Sequence, residues 1–167
     1  IVAVLGLAVD LYNHATVFAS VGELSEFLLR KMEYLRTSRP TAVNLFTATD
    51  DLKRLVTKLA SDESTTVSSL THAFIEAAEE IYAEDVRTNK SMGDFGAQRI
   101  LEITGCDKVR VLTICNTGSL ATTGYGTALG VVRSLHGMGR LEHVYACETR
   151  PYNQGARLTA FEIVTDH

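Results

Sequence analysis

The hydrophobic period of this chain is helical up to Gly105 and changes there, and that change limits the folds open to it. Before Gly105 apolar residues recur near helical spacing: Leu24, Phe27, Leu28, Met32 and Leu35, then Val43, Leu45, Leu52, Leu55, Val56 and Leu59, then Phe74, Ile75, Ala78, Ile81 and Tyr82. After it, residues 108–114 alternate and are β-branched, which reads as a strand. A helix over 126–138, a second strand over 143–148 and a second helix over 153–164 follow. Strand–helix–strand–helix with short connections calls for a parallel sheet with right-handed crossovers. The expected fold class is therefore α/β: a helical N-terminal region over 1–105, then the first βαβα part of a parallel-sheet domain over 106–167.

Within the helical region, residues 1–13 are apolar nearly all round and read as a buried helix. A helix over 22–36 ends at the breaker Ser38-Arg39-Pro40-Thr41. Proline costs little in a first helical turn, so the next helix is expected over 41–60. A polar connector leads to a long acidic helix over 67–90 and a shorter one over 92–104, closed by Gly105.

Hydrophobic residues make up 46% of the chain and charged residues 22%, an ordinary core-forming composition. The net charge is −4, with no basic run and no Trp, so neither nucleic acid nor a membrane surface is an expected partner. The apolar run 1–9 is about half of a membrane span, and it lacks the basic leader of a signal peptide. The cysteines at 106, 115 and 147 form no C-x-x-C pair and suit a reducing, cytoplasmic setting, with the nucleus also open in a eukaryote. The histidines lack ligand spacing, so no metal site is expected. The chain opens in mid-pattern on Ile1 and closes just after a helical pattern on Asp166 and His167. It reads as a piece of a longer protein.

In an open parallel sheet, ligands bind beyond the carboxyl ends of the strands. Cys115 ends the first strand; Glu148, Thr149 and Arg150 end the second. The loop 116–125 then leads to a helix start near Gly126, where unpaired N–H groups and the positive helix end suit an anion. Gly118, Gly124 and Gly126 let backbone approach a ligand, and Ser119, Thr122 and Thr123 supply hydroxyl donors. No Lys follows the glycines and G-x-G-x-x-G is absent, so a phosphate monoester fits better than a nucleotide. A cysteine at such a position is either a small buried hydrophobe or a reactive thiol, and the neighbouring helix N-terminus favours the second. Cys106 and Cys147 read as buried and inert. Arg150 and Arg157 carry guanidinium forks suited to phosphate or hydroxyl oxygens.

The segments SRPTAVNL (38–45), NKSMGDFGA (89–97), TICNTGSLATTGYGTALGVVRSLH (113–136) and ETRPYNQGARLTAFEIV (148–164) resemble the methylthioribose-1-phosphate isomerase family, over essentially the whole chain. The resemblance implies a helical region followed by a Rossmann-like domain, related to the regulatory subunits of translation initiation factor 2B. It implies conversion of 5-methylthioribose 1-phosphate to 5-methylthioribulose 1-phosphate, without metal or organic cofactor, by a homodimer. It makes Cys115 catalytic and puts Arg39 and Gln154 at the sugar phosphate, with Asn116, Thr117, Gly118, Arg150, Asn153 and Gly155 beside them. Its partner aspartate belongs to a strand end downstream of this chain, and a phosphate-binding R-G-A-P-A motif lies upstream. Ile114 stands where the family often has His, and it can point into the sheet. A non-catalytic regulatory subunit and a ribose-1,5-bisphosphate isomerase are the alternative readings.

Overall fold

The structure, a computed structural model, describes residues 1–14 and 17–166; His167, on which the sequence closes, lies outside them. Its elements in order are α1 (Val2–His14), α2 (Val21–Arg36), α3 (Val43–Ala60), α4 (Val67–Thr104), β1 (Val109–Thr113), α5 (Ala128–Gly137), β2 (Leu141–Ala146) and α6 (Ala160–Asp166). A 3-10 turn at Ser119–Ala121 follows β1, and a π-helical turn at Gly155–Thr159 runs into α6. The expected order of a helical region and then the start of a parallel-sheet domain is present. The chain forms two compact units that divide between Ala83 and Glu84, inside α4 and not at Gly105.

The first unit is helical around one core. Leu24, Leu28 and Met32 of α2, Leu52 and Val56 of α3, and Leu70 and Phe74 of α4 are almost completely buried. The α1 helix gives this core only the stripe Val4, Leu7, Ala8 and Leu11. Val2, Val9 and Tyr12 are exposed, so the expectation that it is buried all round fails. A helix packed on one side buries residues at spacings of three and four and leaves its other face outside. Ser20 caps α2 by accepting the Glu23 N–H at 3.2 Å, while the Glu23 carboxylate accepts the Ala19 N–H at 2.9 Å. The α3 helix starts two residues later than expected. The Ala42 N–H donates to the Arg39 carbonyl at 3.0 Å, so Pro40 occupies the second position of a turn, where its fixed φ fits.

The two helices expected over 67–90 and 92–104 are one helix of 38 residues. Ser91 and Gly93 weaken the pattern without breaking it, because neither removes a backbone donor as proline would. The Lys90 ammonium and the Asp94 carboxylate bridge the junction at 2.8 Å. Among the described residues, no helix is long and apolar enough to cross a membrane.

The second unit holds the sheet. β1 and β2 are parallel neighbours joined through α5, with Val109 opposite Leu141 and Thr113 opposite Ala146. β2 lies two residues earlier than expected, which puts Cys147 just past its end. Pairing still continues there, since the Cys147 N–H donates to the Thr113 carbonyl at 2.9 Å. Ala97, Val109 and Leu135 form the core, with Ile100, Val111, Val131 and Leu141 packed on it. Leu112, Ile114 and Tyr145 are exposed, so Ile114 does not point into a packed sheet face. α5 starts at Ala128 and not at Gly126, whose φ of +84° is incompatible with a right-handed helix.

Candidate functional site

Because β1 and β2 run parallel and end level, the loops that leave them emerge at one edge of the sheet. The loop after β1 carries Cys115, Asn116, Thr117 and Gly118; the loop after β2 carries Glu148, Thr149, Arg150, Asn153, Gln154 and Gly155. This is the arrangement the spacing predicts. Cys115 is an exposed free thiol, neither buried nor bonded in a disulfide. Its φ is +82°, in the left-handed region that costs a non-glycine residue about 1–3 kcal/mol and persists only where the surroundings enforce it. The other two cysteines depart from expectation: Cys106 is exposed on the connector and Cys147 is half-buried, because each lies outside a packed element.

Two polar atoms on the residues that follow Cys115, Asn116 Oδ1 and Thr117 Oγ1, are enclosed and have no hydrogen-bond partner among the described residues. Such groups cost about 1–3 kcal/mol each when left unmet. The hydroxyls expected to serve an anion behave differently. Ser119 donates to the Gly124 carbonyl at 2.7 Å, and Thr123 donates to the Asp85 carboxylate at 2.6 Å. Thr122 donates to the Gly118 carbonyl at 3.3 Å and accepts the Gly126 N–H at 3.0 Å. All three shape the loop. At the start of α5 the N-cap residue Thr127 makes no side-chain capping bond among the described residues, and its N–H donates to the Thr117 carbonyl at 2.8 Å.

Three acidic residues that the sequence reading passed over hold this loop. Asp85 accepts both the Thr123 hydroxyl and its N–H, the latter at 3.0 Å. Asp94 accepts the Ser134 hydroxyl at 2.8 Å, and Ser134 in turn bonds the Tyr125 hydroxyl at 2.8 Å. Lys90 and then Ser134 hold the Asp94 carboxyl below its ordinary value. Glu162 accepts the Ser119 N–H at 2.8 Å and pairs with Arg133 at 2.9 Å, with only 12% and 14% of the two side chains exposed. One signal for Glu162 was legible: a lone carboxylate in the apolar run Phe161-Glu162-Ile163-Val164.

The second loop is organised by Glu148. Its carboxylate accepts the N–H groups of Thr149 at 2.8 Å, Gly155 at 2.7 Å and Ala156 at 3.2 Å. These bonds, that of Thr149 foremost, hold its carboxyl below the ordinary value. The start of this helical segment is thus occupied by a carboxylate of the chain itself. Gly155 is required here: a Cβ would lie 2.5 Å from the Cys147 carbonyl oxygen. Half-buried Gln154 accepts the Thr149 hydroxyl at 3.1 Å and donates its N–H back at 3.0 Å. Exposed Arg150 donates to the Asn153 side chain at 2.7 Å, and Arg157 donates to the Tyr152 carbonyl at 3.2 Å. Asn153 takes φ +52°, a conformation asparagine tolerates. Arg39 is exposed in the turn before α3, in the first unit. Among the described residues, no three His, Cys, Asp or Glu side chains gather as metal ligands would.

A methylthioribose-1-phosphate isomerase of Pyrenophora tritici-repentis is 50% identical over an alignment of 169 residues, covering 99% of this chain and 43% of that protein. One from Nematostella vectensis is 49% identical over 164 residues, covering 98% of this chain and 45% of that protein. Among solved structures, the 5-methylthioribose 1-phosphate isomerase of Pyrococcus horikoshii OT3 matches with a TM-score of 0.80 at 34% identity, over 98% of this chain and 44% of that one. The delta subunit of translation initiation factor eIF-2B from A. fulgidus matches with a TM-score of 0.70 at 40% identity, over 89% and 41%. This chain therefore spans less than half the length of the curated relatives it matches. The family model described as the initiation factor 2 subunit family matches residues 1–167, from the first helix through the cysteine loop to α6, and the chain belongs to that family.

Proposed function

We propose that the protein carrying this chain is an aldose–ketose isomerase that converts 5-methylthioribose 1-phosphate to 5-methylthioribulose 1-phosphate, a step of methionine salvage. The observation that carries the reading is the exposed thiol of Cys115, held in left-handed backbone at the edge where both post-strand loops emerge. Unmet polar atoms on Asn116 and Thr117 lie next to it in sequence. The names of relatives near 50% identity supply the substrate.

The chemistry accounts for a thiol. Phosphate on C1 of the sugar blocks ordinary hemiacetal opening, so an acid must assist departure of the ring oxygen. A second group must manage hydrogen transfer between C2 and C1. Acid–base groups of matched pKa each contribute roughly 10²–10⁴-fold. Cys115 is one of them, and its partner is the aspartate that the family resemblance puts downstream of this chain. Asn116, Thr117 and the Gly118 backbone receive the sugar phosphate. Gln154, Arg150, Asn153 and Gly155 line the site from the second loop, and the family resemblance assigns Arg39 to the sugar phosphate. The protein acts as a homodimer in a reducing compartment, cytoplasm or nucleus, which keeps Cys115 a free thiol.

The likeness to the eIF-2B delta subunit favours a second reading, a regulatory subunit without turnover. Its identity exceeds that of the Pyrococcus isomerase, while the isomerase matches more of the chain and at a higher TM-score. Turnover decides between the two. The full-length protein is expected to isomerise methylthioribose 1-phosphate. Cys115→Ser is expected to cut kcat by roughly 10²–10⁴-fold with little change in KM. Parental turnover in that variant removes the thiol from the mechanism. Absence of turnover in the parent favours the regulatory reading.

A further inference from the structure

Besides Asp85 of α4, two later elements pin the cysteine loop with their side chains. From the π-helical turn and α6, Thr159 donates its hydroxyl to the Cys115 carbonyl at 3.4 Å, and Glu162, three residues on, accepts the Ser119 N–H at 2.8 Å. Residues three apart lie on one helix face, so one face grips the start of the loop at two points. From α5, Arg133 pairs with Glu162 through one guanidinium nitrogen and donates to the Tyr125 carbonyl through another. The pair therefore ties Ser119, near the start of the loop, to Tyr125, near its end.

A buried ion pair adds little net stability over an apolar pair of similar volume, so folding alone does not account for this one. What it supplies is fixed geometry: a planar fork that spans two acceptors at set angles. Cys115 sits four residues before Ser119 in a backbone conformation that relaxes unless its surroundings hold it.

We infer that Arg133 and Glu162 are positioning residues whose buried pair fixes the cysteine loop and thereby sets where the Cys115 thiol stands. The inference rests on the reading that Cys115 acts on the substrate. It is tested in full-length protein with Cys106 and Cys147 replaced by Ser. The double variant Arg133→Met/Glu162→Gln removes both charges, so neither is left buried alone. The expected result is a folded protein whose kcat falls about 10²-fold, as misplacement of a catalytic group does. KM stays within about threefold, because substrate contacts are intact. The pH profile of iodoacetamide alkylation at Cys115 moves away from the parental one. A folded double variant with parental kcat and a parental alkylation profile overturns the inference. If the double variant does not fold, Arg133→Lys decides, since lysine keeps the charge balance but cannot span Glu162 and the Tyr125 carbonyl together. The same kcat loss and displaced profile are expected of it, and parental values overturn the inference. Alkylation is read without turnover, whereas Cys115→Ser tests the catalytic role, so the two readings fail separately.

Discussion

At the scale of single residues, Gly118 and Glu162 explain one another. A Cβ at Gly118 would lie 2.1 Å from one Glu162 carboxylate oxygen and 2.4 Å from the other. A flexible exposed glutamate could swing aside. This one is paired with Arg133 and bonded to the Ser119 N–H, so displacing it uncouples the loop. Gly118→Ala is therefore expected to destabilise the protein by about 1–3 kcal/mol, the usual range for overpacking a fixed site. Urea unfolding measures it, as a lower midpoint at unchanged slope. A midpoint within error of the parent would mean that the Glu162 carboxylate is free to move. Sequence reading selected Gly118 for its nearness to a ligand. Its partner is another side chain 44 positions away, and no local pattern could have named it.

At the scale of elements, the helical segment after β2 depends on Glu148. With its carboxyl held below the ordinary 4.5 by three backbone donors, Glu148 stabilises the fold only while ionised. That contribution is fully present above the ordinary value and is lost as pH falls through the lowered one in the folded state. Glu148→Gln mimics the protonated form. It is expected to be less stable than the parent at about pH 7, with the two curves converging as pH falls through the lowered value of the folded state. A constant difference across that range would show that the cap does not depend on charge. Elements also mark the limit of what the sequence revealed. Periodicity placed the helices and both strands, because their apolar residues recur at the spacing of the element. Ends were less legible: β2 slid by two residues, α5 lost Gly126 and Thr127, and the junction at Ser91 read as a break. A strand end is set by pairing with Thr113 and a continuous helix by Lys90 reaching Asp94, and neither contact is written in the local pattern. Cys115 was legible because its place followed from the parallel topology. The duties of Ser119, Thr122 and Thr123 were not, since a hydroxyl's partner is fixed only by the folded loop.

At the scale of the whole molecule, two cores share one long helix. Phe74 and Ala78 of α4 sit in the first core and Ala97 in the second, while the division between the units falls among the residues that separate them. Regions with separate cores open as separate cooperative units, each with its own free energy. Phe74 is the largest fully buried side chain in the first unit, and Phe74→Ala leaves a cavity costing about 3–5 kcal/mol. Since 1.4 kcal/mol is tenfold in an equilibrium constant, protected amides of α2, α3 and the first turns of α4 are expected to exchange at least about 10²-fold faster in that variant. Amides of β1, β2 and α5 are expected to keep their parental rates. Uniform acceleration across both regions would instead mean that the 38 residues of α4 couple the two cores into one cooperative unit. A loss of packing at Phe74 would then reach the strand ends that carry the candidate site.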